Sequence, residues 1–316
     1  MTTSADRRIR GLRPPKPSVD PFTAHGWLVE EERRPNGNRH VERALTVFLA
    51  GAECPFTCSF CDLWRWTIDG PTPRGALVRQ LQQVLRSVDE PAPDRLKLYN
   101  ASNFFDQRAV PLVDRPRIAA LAQPFAAVTV ESHASTVGPP TLDFARQVRG
   151  RLEVAIGLET IHPLAAARLN KRLELSRFDR AAAFLRDNDI DLRVFVLLGA
   201  PYILPNESLE WVVRTVEYAA ARGAAVVSII PVRGGNGEME RLRAEGHFHP
   251  PTLCELEAAL EHCLHVAPAA VTADLWDAAR LPACDACRSQ RIARLRRLNI
   301  TGVAEARITC PSCDGA

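Results

Sequence analysis

The chain has 316 residues, of which 46% are hydrophobic and 24% charged, and its formal net charge is +3. This length suits one large α/β domain with a small appendage, or two modest domains, and the composition is ordinary for a globular protein. So small a net charge identifies neither a nucleic-acid nor a membrane partner. The sequence shows no secretory signal and no apolar run of membrane-spanning length, so we expect a cytoplasmic protein without membrane contact.

Short apolar runs alternate with helical patterns after an N-terminal arm and lead-in at residues 1–43, which is rich in proline, arginine and glutamate. The runs of strand length cover residues 45–50, 95–99, 127–131, 152–158, 192–198 and 225–230. The helical patterns cover residues 74–88, 115–122, 141–147, 176–188, 207–222 and 252–266. Six β–α units in series predict a parallel sheet, but too few strands to close an eight-stranded barrel. The predicted fold is α/β, a partial (β/α)6 TIM-like barrel over residues 44–270.

Three cysteines directly follow the first predicted strand: Cys54, Cys58 and Cys61, in C-x3-C-x2-C spacing with Phe60 before the third. Thiolates so spaced can bind three irons of a [4Fe-4S] cluster and leave the fourth iron open to a substrate or cofactor. The alternatives are a zinc knuckle, for which the flanking carboxylates are poor fourth ligands, or three buried thiols close together by accident. The carboxyl end of a barrel strand is where barrel enzymes carry active-site loops, and this position favours the cluster.

Two other features lie at predicted strand ends. Glu131 could accept hydrogen bonds from ribose hydroxyls or an ammonium group, or it could be a solvated charge. Gly235 belongs to a glycine-rich loop that could bring backbone amides close to a ligand, or could form an ordinary turn.

The cysteine loop resembles the signature of the radical S-adenosylmethionine (radical SAM) superfamily. Residues 26–33, 99–106, 156–160 and 234–237 are similar to its elongator-type branch, and within that branch to the radical SAM subunits of archaeosine synthases. The resemblance implies that SAM chelates the open iron and is cleaved to a 5′-deoxyadenosyl radical. The electron would come from an external donor of flavodoxin or ferredoxin type.

The resemblance also implies positions that bind SAM near the first strands. Phe60 would cover the cluster or pack on the adenine of SAM. Asn100 and Ser102 stand where many relatives hold the SAM amine with a Gly-Gly-Glu turn, which this chain lacks.

Further positions are implied on the later strands. Glu159 matches the segment at the fourth strand, and Gly199 matches the turn beside adenine after the fifth. Asn170, Lys171 and Arg172 are the candidates to pair with the SAM carboxylate, and their spacing does not choose among the three.

The substrate is less constrained by the sequence. The resemblance implies a modified nucleoside in tRNA. The alternatives are a small molecule, such as a natural-product or lipid precursor, and a non-catalytic nucleic-acid-binding module whose metal centres are structural or carry electrons.

Residues 271–316 are interpreted as a C-terminal metal-binding extension with two C-x2-C knuckles, formed by Cys284 and Cys287 and by Cys310 and Cys313. Four thiolates can close a tetrahedral zinc site or hold a second iron–sulfur cluster. Zinc is favoured because a segment this poor in core residues needs a metal to hold it.

An arginine-rich helix is predicted between the knuckles. Its polar positions are Arg288, Arg291, Arg294, Arg296 and Arg297. Such an amphipathic basic helix could bind a phosphate backbone, or could present a solvated face.

Overall fold

The structure is a computed structural model that describes residues 3–35, 41–89, 93–266 and 268–314. Within these residues, eight strands form one sheet in sequence order. They are β1 Gly26–Arg33, β2 Val41–Phe48, β3 Arg95–Tyr99, β4 Ala127–Ser132, β5 Arg151–Glu159, β6 Asp191–Leu198, β7 Ala224–Pro231 and β8 Ala270–Ala273. Strand β1 is antiparallel to β2, and every later pair is parallel.

Helices connect the parallel strands and flank the sheet at both termini. They are α1 Ser4–Gly11, α2 Ala76–Leu85, α3 Arg115–Leu121, α4 Pro139–Ala145, α5 Pro163–Arg168, α6 Leu175–Asp187, α7 Pro205–Ala221, α8 Glu238–Ala244, α9 Leu253–Cys263, α10 Arg288–Thr301 and α11 Pro311–Asp314. The outward side chains of the strands and the inward faces of these helices form the main hydrophobic core. None of the helices in the described part of the chain has both the length and the apolar character needed to cross a bilayer.

The predicted α/β class and the six predicted strands are confirmed, since those strands are β2 to β7. The count of six is too low, because one more strand lies at each edge of the sheet. Strand β1 carries four charged residues in succession and was interpreted as a lead-in segment, and β8 is only four residues long. The domain limits at residues 43 and 270 stay a prediction.

The sheet curves into a nearly closed barrel, and helix α10 covers the seam. Within the described residues, β1 and β8 are not paired with each other. Instead the Asn299 side chain of α10 accepts from the Ala273 amide at 2.7 Å and donates to the Ala273 carbonyl at 2.8 Å. From the other edge, the Arg33 guanidinium donates to the Val271 carbonyl at 2.9 Å. The C-terminal extension therefore packs on the barrel at this seam.

A buried ionic network fills the amino-terminal end of the barrel. Glu153 is fully buried and pairs with Arg193 at 2.7 Å and with Arg34 at 2.6 Å. Burial alone would raise the pKa of Glu153, but the guanidinium groups of Arg193, Arg34 and Arg95 outweigh it and hold that pKa well below its ordinary value. This end of the barrel is a packed floor of paired charges, which leaves the carboxyl end for a site.

Candidate active site at the carboxyl ends of the strands

The cysteine loop follows β2 and is fixed by two other loops. The Cys61 amide donates to the Cys58 carbonyl at 3.2 Å, which forms a turn within the motif. The Ser59 amide donates to the Leu169 carbonyl at 2.9 Å. From the glycine-rich loop, the Asn236 side-chain amide donates to the carbonyls of Ser59 at 2.8 Å and Cys61 at 3.2 Å. Protein contacts alone thus define the loop conformation.

The three thiols of this loop are partly buried and interact electrostatically. Burial raises the pKa of Cys54, Cys58 and Cys61, to about 12 for Cys58, so that without a bound cation they stay protonated. Among the described residues, the only metal-ligand group whose donor atoms all lie within 4.8 Å of one another is at the C-terminus. At least one pair of sulfur atoms in the loop is therefore more than 4.8 Å apart, whereas the sulfur ligands of a single zinc ion stand about 3.8 Å apart.

Helix α1 reaches this site through Asp6, a residue that no motif in the sequence singles out. Asp6 is 4% exposed, and its carboxylate accepts from the Thr57 hydroxyl of the cysteine loop, from the Arg172 guanidinium and, at 3.0 Å, from the Asn170 side-chain amide. The same Asn170 nitrogen donates to the Thr57 carbonyl at 2.9 Å. Burial would raise the pKa of Asp6, but hydrogen bonds from Thr57, Asn170 and Thr3 outweigh it and hold that pKa below its ordinary value. Asp6 thus joins the cysteine loop to the loop after β5.

More of the N-terminal arm lies on the barrel mouth. Arg8 pairs with Glu238 at 2.9 Å, and Arg13 pairs with Glu53 at 2.9 Å. At Gly237, where φ is +89°, an added Cβ would overlap the carbonyl oxygen of Leu12 in the arm. Only glycine therefore lets the arm come this close to the glycine-rich loop. The arm therefore contacts the loops that follow β2, β5 and β7.

Lys171 and Glu159 form an ion pair inside the mouth, with Nζ 2.6 Å from Oε1. Burial would lower the pKa of Lys171, but the Glu159 carboxylate beside it outweighs this effect and raises that pKa above its ordinary value. Gly157 leaves room for the pair, since a Cβ there would overlap the Glu159 carboxylate and lie 2.6 Å from Lys171 Nζ, and both side-chain ends would have to shift. Because Arg172 already pairs with Asp6, Lys171 is the predicted cation that the structure places beside the thiols.

Polar groups without partners lie beside the cysteine loop. Asn100 is fully buried, and neither atom of its side-chain amide has a hydrogen-bond partner; the buried Ser102 hydroxyl also lacks one. The Asn103 amide donates to Cys54 Sγ at 3.6 Å, which ties this turn to the thiols. Buried polar groups are usually paired, so these groups indicate space for a polar ligand.

Glu131 supports that turn from the next strand. Its carboxylate accepts from the backbone amide of Asn100 at 2.5 Å. Burial raises the pKa of Glu131 to about 7, although the backbone amides of Asn100, Ala101 and Ser102 favour the charged form. The carboxylate thus shapes the turn.

His133 was not predicted. Its ring stacks on Phe56 at 4.1 Å, burial lowers its pKa to about 3, and its Nε2 has no partner. No motif in the sequence singles it out.

Three predicted residues have mainly structural contacts. Phe60 packs against the apolar cluster that includes Leu169. Gly199 has φ +71°, and a Cβ there would lie 2.8 Å from Pro251. The Gly235 amide donates to Glu240 within the glycine-rich loop, and its part in ligand binding stays a prediction.

The C-terminal knuckles form a separate metal-ligand group. The sulfur atoms of Cys284, Cys287 and Cys310 lie within 4.8 Å of one another, and that of Cys284 is 4.0 Å from that of Cys310. Arg291 Nε donates to Cys287 Sγ at 3.1 Å. The Cys313 side chain lies outside the described residues.

The arginines of α10 do not form a free basic face. Arg294 is fully buried and pairs with Glu257 of α9 at 2.9 Å, and Arg291, 6% exposed, pairs with the same carboxylate. Arg288 donates to main-chain carbonyls, Arg297 pairs with Glu305 at 2.9 Å, and Arg296 is exposed. The predicted phosphate-binding helix is wrong for Arg291 and Arg294, because they neutralise buried carboxylates.

Comparison with known proteins finds similarity in structure but not in sequence. No protein-family profile matches the sequence, and no curated protein is detectably similar to it. A radical SAM methyltransferase from Sphaerobacter thermophilus superposes with a TM-score of 0.52 at 14% identity, over 87% of this chain and 83% of that chain. Methylornithine synthase superposes with a TM-score of 0.52 at 12% identity, over 79% and 67%.

A shorter match is to the Elp3 protein of the archaeon Methanocaldococcus infernus, with a TM-score of 0.48 and 13% identity over 62% of this chain. The chain spans half the length of that protein. The longer matches establish that this chain has the fold found in radical SAM enzymes.

Proposed function

We propose that the chain is a radical SAM enzyme. The observation that carries this proposal is the position of Cys54, Cys58 and Cys61, in C-x3-C-x2-C spacing, at the mouth of a barrel of this fold. A [4Fe-4S] cluster bound there would leave one iron open for SAM and would supply one-electron cleavage of its carbon–sulfur bond. The electron would come from an external flavodoxin- or ferredoxin-type protein.

The residues around the thiols fit a zwitterionic ligand. The Asn100 amide and the Ser102 hydroxyl, which lack partners, would accept from an ammonium group. Lys171, already ion-paired with Glu159, would donate to a carboxylate. Glu131 already holds the Asn100 main chain and Glu159 already holds Lys171, so little reorganisation is needed on binding.

The finer assignment, an elongator-type enzyme similar to archaeosine synthase and acting on tRNA, rests on the sequence resemblance. The burial of Arg291 and Arg294 removes the basic helix as a support for it. A small-molecule substrate is the alternative. The non-catalytic module is disfavoured, since the unpaired polar groups beside the three thiols indicate that this end of the barrel binds a polar ligand.

For the C-terminal site we propose zinc. A tetrahedral ion with Zn–S bonds of about 2.3 Å places its sulfur ligands about 3.8 Å apart. The 4.0 Å separation of the Cys284 and Cys310 sulfur atoms matches this spacing. Cysteine ligands of an iron–sulfur cluster bind different irons and stand further apart. Cys313 would supply the fourth ligand.

The test is anaerobic reconstitution with iron, sulfide, SAM and a reductant, followed by assay for 5′-deoxyadenosine. Wild type should form it, and Cys58→Ala should lose both the product and the SAM-responsive paramagnetic signal. Cys254→Ser, a partly exposed cysteine on α9, is the matched control and should retain both. Absence of product from cluster-loaded wild type would refute the proposal.

The zinc proposal has its own test. Anaerobically purified protein should contain about one zinc beside about four irons per chain. Replacing Cys284 and Cys287 by serine should remove the zinc and leave the iron. A count of about eight irons and no zinc would show a second cluster instead.

A further inference from the structure

One side chain donates a hydrogen bond to a sulfur atom of the cysteine loop. The Asn103 side-chain nitrogen lies 3.6 Å from Cys54 Sγ, and sulfur, being larger than oxygen, accepts hydrogen bonds at such a distance. Within the described part of the chain, no second side chain donates to the sulfur of Cys54, Cys58 or Cys61. Asn103 and Cys54 are 49 positions apart and follow the neighbouring strands β3 and β2, so the fold brings them together.

The main chain around Asn103 is fixed by its own turn and by the next strand. The Phe104 amide donates to the Glu131 carbonyl at 2.9 Å, and the Asp106 amide donates to the Asn103 carbonyl at 3.0 Å. The Phe104 side chain is fully buried, which anchors the turn in the core. These contacts do not involve the sulfur. The main chain therefore aims the Asn103 amide at Cys54.

The contact between Asn103 and Cys54 is shielded from water. Asn103 is 3% exposed, and Cys54 is partly buried. A hydrogen bond in such surroundings is electrostatically stronger than one in water. The side-chain amide of asparagine is a neutral donor that does not titrate. It can therefore stabilise negative charge on the sulfur at every pH at which the protein is folded.

Such a donor affects how readily an iron–sulfur cluster is reduced. Reduction adds one negative charge, which is shared between the irons and their sulfur ligands. A hydrogen bond to a ligand sulfur stabilises the reduced form more than the oxidised form, because hydrogen bonds to a more negative acceptor are stronger. Hydrogen bonds to the sulfur atoms are accordingly one of the determinants of cluster potentials in proteins.

We propose that Asn103 raises the reduction potential of the cluster through its hydrogen bond to the Cys54 sulfur. The proposal rests on the proposed function, because it requires that Cys54, Cys58 and Cys61 bind a [4Fe-4S] cluster. In the reducing step, one electron passes from the flavodoxin- or ferredoxin-type donor to the cluster, and that donor is oxidised by one electron. The amide proton stays on Asn103. Asn103 is thus a positioning residue that acts through Cys54.

A redox titration followed by electron paramagnetic resonance tests the proposal on full-length, cluster-loaded protein without SAM. Asn103→Leu keeps a side chain of similar shape but removes the donor. At the solution potential that reduces half of the wild-type cluster, the ratio of reduced to oxidised cluster should be about tenfold lower in this variant, which is about 59 mV for a one-electron couple. Asn103→Asp has the same shape with a carboxylate in place of the amide. It should lower the ratio at least as far, and it replaces the leucine variant if that protein does not hold the cluster.

The matched control is Asn236→Leu. Asn236 is 2% exposed and also holds the cysteine loop, but its amide donates to the carbonyls of Ser59 and Cys61. This variant should keep the ratio within about twofold of wild type, because it removes no hydrogen bond to sulfur. Equal shifts in Asn103→Leu and Asn236→Leu would show that the packing of the loop sets the potential. A wild-type ratio in a loaded Asn103 variant would show that the hydrogen bond has no effect. Either result would overturn the proposal.

Separate measurements on the wild type report on the proposed function. Iron and sulfide content shows whether the cluster forms, and formation of 5′-deoxyadenosine shows whether SAM is cleaved. A cluster that forms without cleaving SAM would refute the proposed function, and the effect of Asn103 on the potential would still be measured. A wild type that binds no cluster would refute both.

Discussion

Replacing Asp6 by alanine should loosen the cysteine loop without unfolding the barrel. The Asp6 carboxylate is the common acceptor for Thr57, Asn170 and Arg172, and these residues lie 51, 164 and 166 positions away in the chain. Its removal leaves the Thr57 hydroxyl and the Asn170 amide with fewer partners. The loss should be local, because α1 lies outside the sheet and the other contact of Asp6, which accepts from the Thr3 amide at 2.7 Å, caps α1 itself.

The size of the expected loss in local stability follows from the hydrogen bonds and the ion pair that Asp6 makes. A hydrogen bond to a charged group contributes about 1.5–3 kcal/mol, and breaking a fully buried ion pair costs about 3–5 kcal/mol. The Arg172 side chain is 41% exposed and can return to water, so its share is reduced. We therefore expect a local loss of about 2–4 kcal/mol, which is about a 30- to 1000-fold fall in hydrogen-exchange protection.

Hydrogen exchange followed by mass spectrometry measures this loss in peptides that cover residues 3–12 and 54–61. Asp69→Ala is the matched control, since Asp69 pairs with Lys16 of the same arm but its side chain is 96% exposed. That variant should exchange as wild type does. If Asp6→Ala and Asp69→Ala show the same protection of the cysteine loop, Asp6 does not hold that loop, and the reasoning is refuted.

Two further changes test the interior of the barrel. Glu153→Gln should lower the free energy of unfolding by about 3–5 kcal/mol, because Arg193 and its neighbours lose a buried counter-ion. The folded-state pKa of Glu153 is depressed, so the stabilisation it provides is present above the ordinary carboxyl pKa and is lost as pH falls. In denaturant titrations, the difference in unfolding free energy between wild type and Glu153→Gln should therefore shrink below about pH 4.5. A difference that stays constant with pH would contradict this. Gly157→Ala should keep the fold but weaken SAM binding about tenfold, because the new methyl group displaces the Glu159–Lys171 pair; unchanged affinity by dialysis would show that SAM does not use this pair.

The sequence was sufficient to predict a strand or a motif wherever the residues that identify it are close together in the chain. Strands β2 to β7 have both faces covered, so they appear as short apolar runs between amphipathic helices. The cysteine loop is a contiguous motif directly after a strand. The edge strands were missed because β1 is charged and β8 is short, which removes the apolar run that identifies a strand.

The rest of the site depends on contacts between distant residues. Nothing around Asp6 distinguishes it from a solvated helix charge, and its burial is decided by the loop after β5. The role of Arg294 was also hidden, because its surroundings in the sequence predict exposure where the structure shows burial. Its spacing is that of an exposed basic helix face, but Glu257, 37 positions earlier, turns it into a buried counter-ion. Single-sequence periodicity does not report such pairings.

The paired and unpaired polar groups distinguish the residues that support the fold from those that can bind a ligand. At the amino-terminal end of the barrel, Glu153 is shared among arginines, and the interior there is rigid and closed to ligands. At the carboxyl end, Glu131 and Asp6 hold the loops by accepting from their donors. The Asn100 amide is left unsatisfied between these supports. Because an unpaired buried amide is costly, its retention beside three thiols is best explained by a ligand that completes its hydrogen bonds.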